Sequence, residues 1–135
     1  MQHKKIVQLL ASAALVTALP FGVMAQGKDP VKVGLVSSKS GVFAEQGEEV
    51  MRAVKFAIDE ANSKGGVDGR KVEVVEGDDE STPDAGRRVA EKMARDGYNL
   101  LIGAVPSSIS LAIAQNLDRW DAAYFIQASK SDKLT

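Results

Sequence analysis

The chain is 135 residues long, with 17 basic and 18 acidic residues, a formal charge of −1, 44% hydrophobic residues and no cysteine. That length holds one domain rather than two, and the near balance of charge removes the electrostatic case for binding nucleic acid or an anionic membrane. Absence of cysteine excludes thiolate catalysis, disulfide staples and sulfur-ligated zinc.

The first stretch has its own composition. "MQHKK" gives a positive start, "IVQLLASAALVTALPFGV" an apolar run, and "VMA" places Val23 and Ala25 as a signal peptidase requires. Gln8, Ser12, Thr17 and Pro20 interrupt the run and no stop-transfer charges follow, which argues for cleavage after Ala25 over a membrane anchor. Residues 1–25 therefore read as a secretory signal peptide. With no cysteine for lipid attachment, the mature chain is expected to be soluble in a Gram-negative periplasm, without direct membrane insertion once the signal is removed.

From Val31, "VKVGLVSS" is a short apolar run of β-branched character and predicts a buried strand. Val50, Val54, Ala57, Ile58 and Ala61 then form one stripe of a helix, with acids at its start and Lys64, Gly65 and Gly66 at its end. A second strand is expected over about Lys71 to Glu76. Thr82 reads as the N-cap of a second helix with Pro83 at its first position, Val89, Ala90, Met93 and Ala94 as its buried stripe, and Gly97 as its stop. "YNLLIGAV" predicts a third strand, Ile109, Ala112, Ile113, Leu117 and Trp120 a third helix, and "AAYFIQA" a fourth strand.

Strands that alternate with amphipathic helices imply an α/β fold: a parallel β-sheet with helices on both faces. Ligands in such sheets sit beyond the carboxyl ends of the strands, near helix N-termini. The corners to watch are residues 37–47, 77–82, 104–108 and 127–133.

Ser107 and Ser108 open the third helix, so capping is their default role. A nucleophile would need a base, yet the single histidine is His3 in the signal and a G-x-S-x-G elbow is absent. What remains is donation: hydroxyls and free N–H groups at a helix start suit a carboxylate, and this is compatible with capping. Asp78 and Asp79 lack the glycine fingerprint of a dinucleotide site and the spaced ligands of a metal site, so local capping of turns is their favoured use. No cofactor and no metal are expected. Lys130 is either a surface lysine or, if turned into the cleft, a partner for an anionic group. Gln46 could reach the same cleft as a neutral hydrogen-bonding side chain.

From Lys32 onward the sequence resembles the amino-terminal part of periplasmic solute-binding proteins of the branched-chain amino acid ABC transporter type. The resemblance rests on the order and spacing of "SG" at Ser40 and Gly41, Gly47, "IDEANSKGG", the "DD" pair and "IG" followed by "SS". It implies a two-lobed receptor that closes over a small-molecule solute and hands it to an inner-membrane permease, with no enzymatic step. It places Ser107 against a solute carboxylate with Ser108 beside it, and the Ala128 carbonyl where amino-acid binders contact the solute's amino group. Lys130 stands where such binders carry threonine and Gln46 where they often carry an aromatic side chain. Ser81 and Pro106 stand where those receptors have a cysteine pair. A lysine beside the serines would favour a carboxylate and repel an α-ammonium group, so the expected solute is an aromatic or dicarboxylic acid that lacks an amine, with an unusual amino acid or amide next in line. Residues 26–135 read as part of the amino-terminal lobe, the second lobe being absent. A ligand-sensing domain of a signalling receptor is the alternative, and a secreted enzyme is disfavoured by the missing base and nucleotide loops.

Overall fold

The computed structural model describes residues 28–134, so the expected signal peptide lies outside the described residues. Four strands, β1 (Val31–Ser37), β2 (Val72–Asp78), β3 (Leu100–Gly103) and β4 (Ala123–Phe125), form one sheet in the order β2-β1-β3-β4. Every pairing is parallel. Helices α1 (Ala44–Ser63), α2 (Pro83–Arg95), α3 (Ser107–Ala114) and α4 (Leu117–Trp120) fill the connections, and a short 3-10 turn, Asp132–Leu134, follows β4. Among these residues no helix is long and apolar enough to cross a membrane.

The register aligns Leu35 with Ile102 and Ile102 with Phe125 on one face, and Gly34 with Leu101 and Leu101 with Tyr124 on the other. The second face is the better filled. Val36 and Leu101 pack there with Ala90, Met93, Ile109, Ile113 and Trp120 from α2, α3 and α4, all of them buried. Helix α1 covers the first face over β1 and β2. It lies close because residue 47 has no side chain: a Cβ on Gly47 would stand 1.9 Å from the Ser38 carbonyl oxygen.

Helix α2 starts as its sequence predicts, with Pro83 at the first position and Thr82 Oγ1 accepting the Ala85 N–H at 3.3 Å. Three expectations shift. Ala57 is exposed, and Met51 is the buried side chain of α1, because the helix leans its N-terminal half onto the sheet. The third helix is two helices: Asn116 adopts φ −120° and donates through its side chain to the Ala112 carbonyl at 2.8 Å, ending α3 before α4 begins. Leu117 and Trp120 still reach the core through that corner. The fourth strand shrinks to three residues, since β3 offers it only Leu100 to Ile102 as partners before turning away at Gly103.

Candidate functional site

The carboxyl ends of the strands gather four loops at one rim. The loop after β1 is tied to the loop after β2 by the two aspartates. Asp78 accepts from the backbone N–H groups of Lys39 (2.8 Å), Ser40 (3.2 Å) and Glu80 (2.8 Å) and from Ser40 Oγ (2.7 Å). Burial opposes ionisation of this carboxyl, but the hydrogen bonds from Ser40, Glu80 and Lys39 outweigh it and hold Asp78 below the usual carboxylate range. Asp79 is fully buried and accepts from Ser38 Oγ at 2.6 Å and the Ser81 N–H at 2.9 Å, while its Oδ2 has no partner among the described residues. Burial pushes this second carboxyl up, against the bonds from Ser38 and Ser81. The pair thus has the structural role expected of it, and no group of three His, Cys, Asp or Glu among the described residues could hold a metal ion.

The loop after β3 presents the serines. Pro106, in an extended conformation, is the residue before α3, and no side chain caps this helix. Ser107 and Ser108 are its first two residues, so the capping role expected of them is not the one they play. A cap must stand one position earlier with its oxygen turned back over the helix, and Pro106 occupies that position. The N–H groups of Ser107 and Ser108 are therefore left without an intrahelical acceptor. Ser107 Oγ instead accepts the backbone N–H of Lys130 across the rim at 3.0 Å. Its oxygen is thereby engaged and its hydroxyl proton is left to donate elsewhere.

The five residues singled out in the sequence are only partly brought together. Ser107 is half-buried and Ser108 exposed at the start of α3; Ala128 is half-buried and Lys130 exposed after β4. Lys130 meets Ser107 through its backbone, with its side chain at the exposed edge of the rim. Gln46 lies in the first turn of α1, exposed, and among the described residues no hydrogen bond joins Gln46 or Ala128 to Ser107.

Sequence reasoning missed the polar cluster beneath these loops. Tyr124 on β4, Ser110 on α3 and Ser129 after β4 meet at Ala104, the residue that leaves β3. The Ala104 N–H donates to Tyr124 Oη at 2.5 Å, Ser110 Oγ lies 3.0 Å from Tyr124 Oη and 2.6 Å from Ser129 Oγ, and Ser129 Oγ donates to the Ala104 carbonyl at 3.0 Å. Burial pushes the Tyr124 phenol up to about 12. A tyrosine inside the apolar run "AAYFIQA" was the available signal, since a buried phenol requires a partner.

A surface cavity of about 1010 Å³ lies at the other end of the sheet, lined by Asp29, Lys32, Arg70, Asn99 and Asp121 among others. It is far from every strand's carboxyl end, where the unengaged donors stand, and Arg70 and Asn99 are already committed there to backbone carbonyls.

Comparison with known proteins agrees with this architecture. A Leu/Ile/Val-binding protein of Rhizobium johnstonii is 32% identical over 106 residues, which is 78% of this chain and 28% of that protein. Among solved structures, the branched-chain amino acid substrate-binding protein from Streptococcus pneumoniae, in complex with isoleucine, superposes with a TM-score of 0.75 at 24% identity over 78% of this chain and 30% of its own. An ABC-transporter solute-binding protein from Rhodopseudomonas palustris BisB5, in complex with 3,4-dihydroxy benzoic acid, gives 0.70 at 26% identity over 78% and 29%. The chain spans less than a third of the length of these relatives. The family model described as "Periplasmic binding protein" matches residues 30–135. With parallel β-α connections throughout and a match over nearly all the described residues, the chain belongs to the periplasmic binding protein family.

Proposed function

We propose that the chain forms part of the amino-terminal lobe of an extracytoplasmic solute-binding receptor of an ABC importer, and that its solute is a small carboxylate held reversibly at the rim by Ser107 and Ser108. The observation that carries this reading is the Lys130 N–H bound to Ser107 Oγ at 3.0 Å. It leaves a hydroxyl donor beside the two unclaimed N–H groups at the start of α3, a neutral set of donors aimed where a carboxylate would be stabilised by charge-assisted hydrogen bonds and the helix end. Nothing in this arrangement activates a nucleophile, so binding is the whole of its chemistry. The working place of such a receptor is the periplasm, reached through the signal peptide of residues 1–25, and its partner is an inner-membrane permease.

The lysine at position 130 favours an acid without an amine over an α-amino acid, through charge rather than contact. The relative solved with 3,4-dihydroxy benzoic acid supports that solute class. The Leu/Ile/Val-binding relative supports the competing one, an amino acid whose ammonium would lie near the Ala128 carbonyl. Isothermal titration of the receptor that carries this lobe separates them. We expect 3,4-dihydroxybenzoate to bind at least tenfold more tightly than leucine, and Lys130→Thr to narrow that gap. Ser107→Ala should weaken acid binding by about 10- to 100-fold, the worth of one charge-assisted hydrogen bond of about 1.5–3 kcal/mol. Micromolar binding of leucine with no response to organic acids would overturn the acid reading.

A further inference from the structure

The hydroxyl cluster under the rim has a direction that its atoms dictate. A backbone N–H can only donate and a backbone carbonyl can only accept, and each hydroxyl has one proton to give. Tyr124 Oη takes the Ala104 N–H at 2.5 Å, so its own proton goes to Ser110 Oγ, the hydroxyl 3.0 Å away. Ser110 has a choice between Ser129 Oγ at 2.6 Å and the Ala104 carbonyl at 3.5 Å, and the shorter contact takes the proton. Ser129 returns its proton to the Ala104 carbonyl at 3.0 Å. The result is a closed ring that leaves Ala104 through its N–H and returns through its C=O. Ala104 and Ser110 are fully buried and Tyr124 and Ser129 half-buried, which limits the competition of water for these bonds.

The geometry points to Tyr124, Ser110 and Ser129 as positioning residues for the solute-binding rim: the ring fixes the β3 exit loop against the β4 exit loop, and so aims the Ser107 hydroxyl into the cleft. Ala104 lies three residues before Ser107, and Ser129 lies directly before Lys130. Locking Ala104 to Ser129 therefore sets the separation at which the Lys130 N–H meets Ser107 Oγ. Without that bond the serine oxygen would be free to rotate and accept, and its proton would no longer be committed outward. The inference deepens the reading of Ser107 as a carboxylate donor and rests on it for its functional meaning. The mechanical part stands apart from any solute.

Amide hydrogen exchange on the full chain tests the mechanical part without a ligand. The Leu101 amide, in the middle of the sheet, serves as the benchmark that the fold is intact. Ser129→Ala should speed exchange at both Ala104 and Lys130 by at least tenfold with Leu101 unchanged, and Ser129→Thr, which keeps the hydroxyl, should restore both. Ser107→Ala should speed Lys130 and leave Ala104 protected, because it acts beyond the ring. If Ser129→Ala also exposes Leu101, Tyr124→Phe carries the same expectation with the ring's packing retained. Lys130 protection that stays at the wild-type level in a folded Ser129→Ala or Tyr124→Phe variant overturns the proposal. Solute titration of the same variants in the two-lobed receptor then bears on the function: coupled exchange without any loss of acid affinity would leave the ring standing and remove the carboxylate reading.

Discussion

Asp78 and Asp79 are neighbours in sequence with opposite electrostatics. Asp78, held below the usual carboxylate range by its four hydrogen bonds, stabilises the fold above its unfolded value near 3.8, and that contribution is lost as pH falls through the lower folded value. Asp79 is the reverse case. Burial raises its folded value, so the fold gains from its protonated form below the unfolded value and loses that gain as pH rises through the folded one. Asp79→Asn keeps an acceptor for Ser38 and Ser81 while removing the buried charge. Denaturant unfolding should find this variant at least as stable as wild type at neutral pH, with the difference vanishing toward about pH 4. Asp78→Ala should cost about 2 kcal/mol at neutral pH by the same measurement, because three backbone N–H groups lose a charged acceptor at once.

At the scale of elements, α1 and α3 are held to the sheet differently. Helix α3 is short, but Ile109 and Ile113 are fully buried against α2 and the sheet. The longer α1 buries only Gly47 and Met51, leaves Phe56 72% exposed, and depends on close backbone approach at Gly47. Periodicity revealed that α1 is a helix and put Val50, Val54, Ile58 and Ala61 on its half-buried side, but it included the exposed Ala57 and passed over Met51, since the apolar residues cover a wide arc. Ile113→Ala should destabilise the chain by about 3 kcal/mol in urea unfolding, as a large-to-small change at a filled site does. Ala57→Gln, at a position the pattern marks as core but the fold exposes, should leave stability within about 0.5 kcal/mol. The division of the third helix at Asn116 was equally hidden. The apolar spacing from Ile109 to Trp120 fits one helix, and only the Asn116 side chain, bonded back to Ala112, shows where it stops.

Over the whole molecule, the two faces of the sheet are unequally covered. Helices α2, α3 and α4 enclose one core, and α1 shields the opposite face over β1 and β2, with Phe125 on that face 58% exposed. Trp120, the single tryptophan, closes the better-filled core and is 9% exposed. Its fluorescence should therefore be blue-shifted in the folded chain and should change in the same transition as far-ultraviolet circular dichroism, because its neighbours come from α2 and α3 rather than from α4 alone. An earlier tryptophan transition would show that α4 releases before the sheet does.

The order of strands and helices, the parallel sheet, the start of α2 at Thr82 and Pro83, and the clustering of serines and aspartates at strand exits were legible in the sequence. Each depends on local chemistry: side-chain period, turn residues and the geometry of a β-α connection. The partner of Ser107, the unlike ionisation of two adjacent aspartates and the ring around Ala104 were decided by the tertiary structure alone. The aspartates meet atoms of the β1 and β2 exit loops, and the Ser107 contact and the ring join the β3 exit, α3, β4 and the loop after it; hydrogen bonding and desolvation act only once folding has brought such atoms within about 3 Å of one another and away from water.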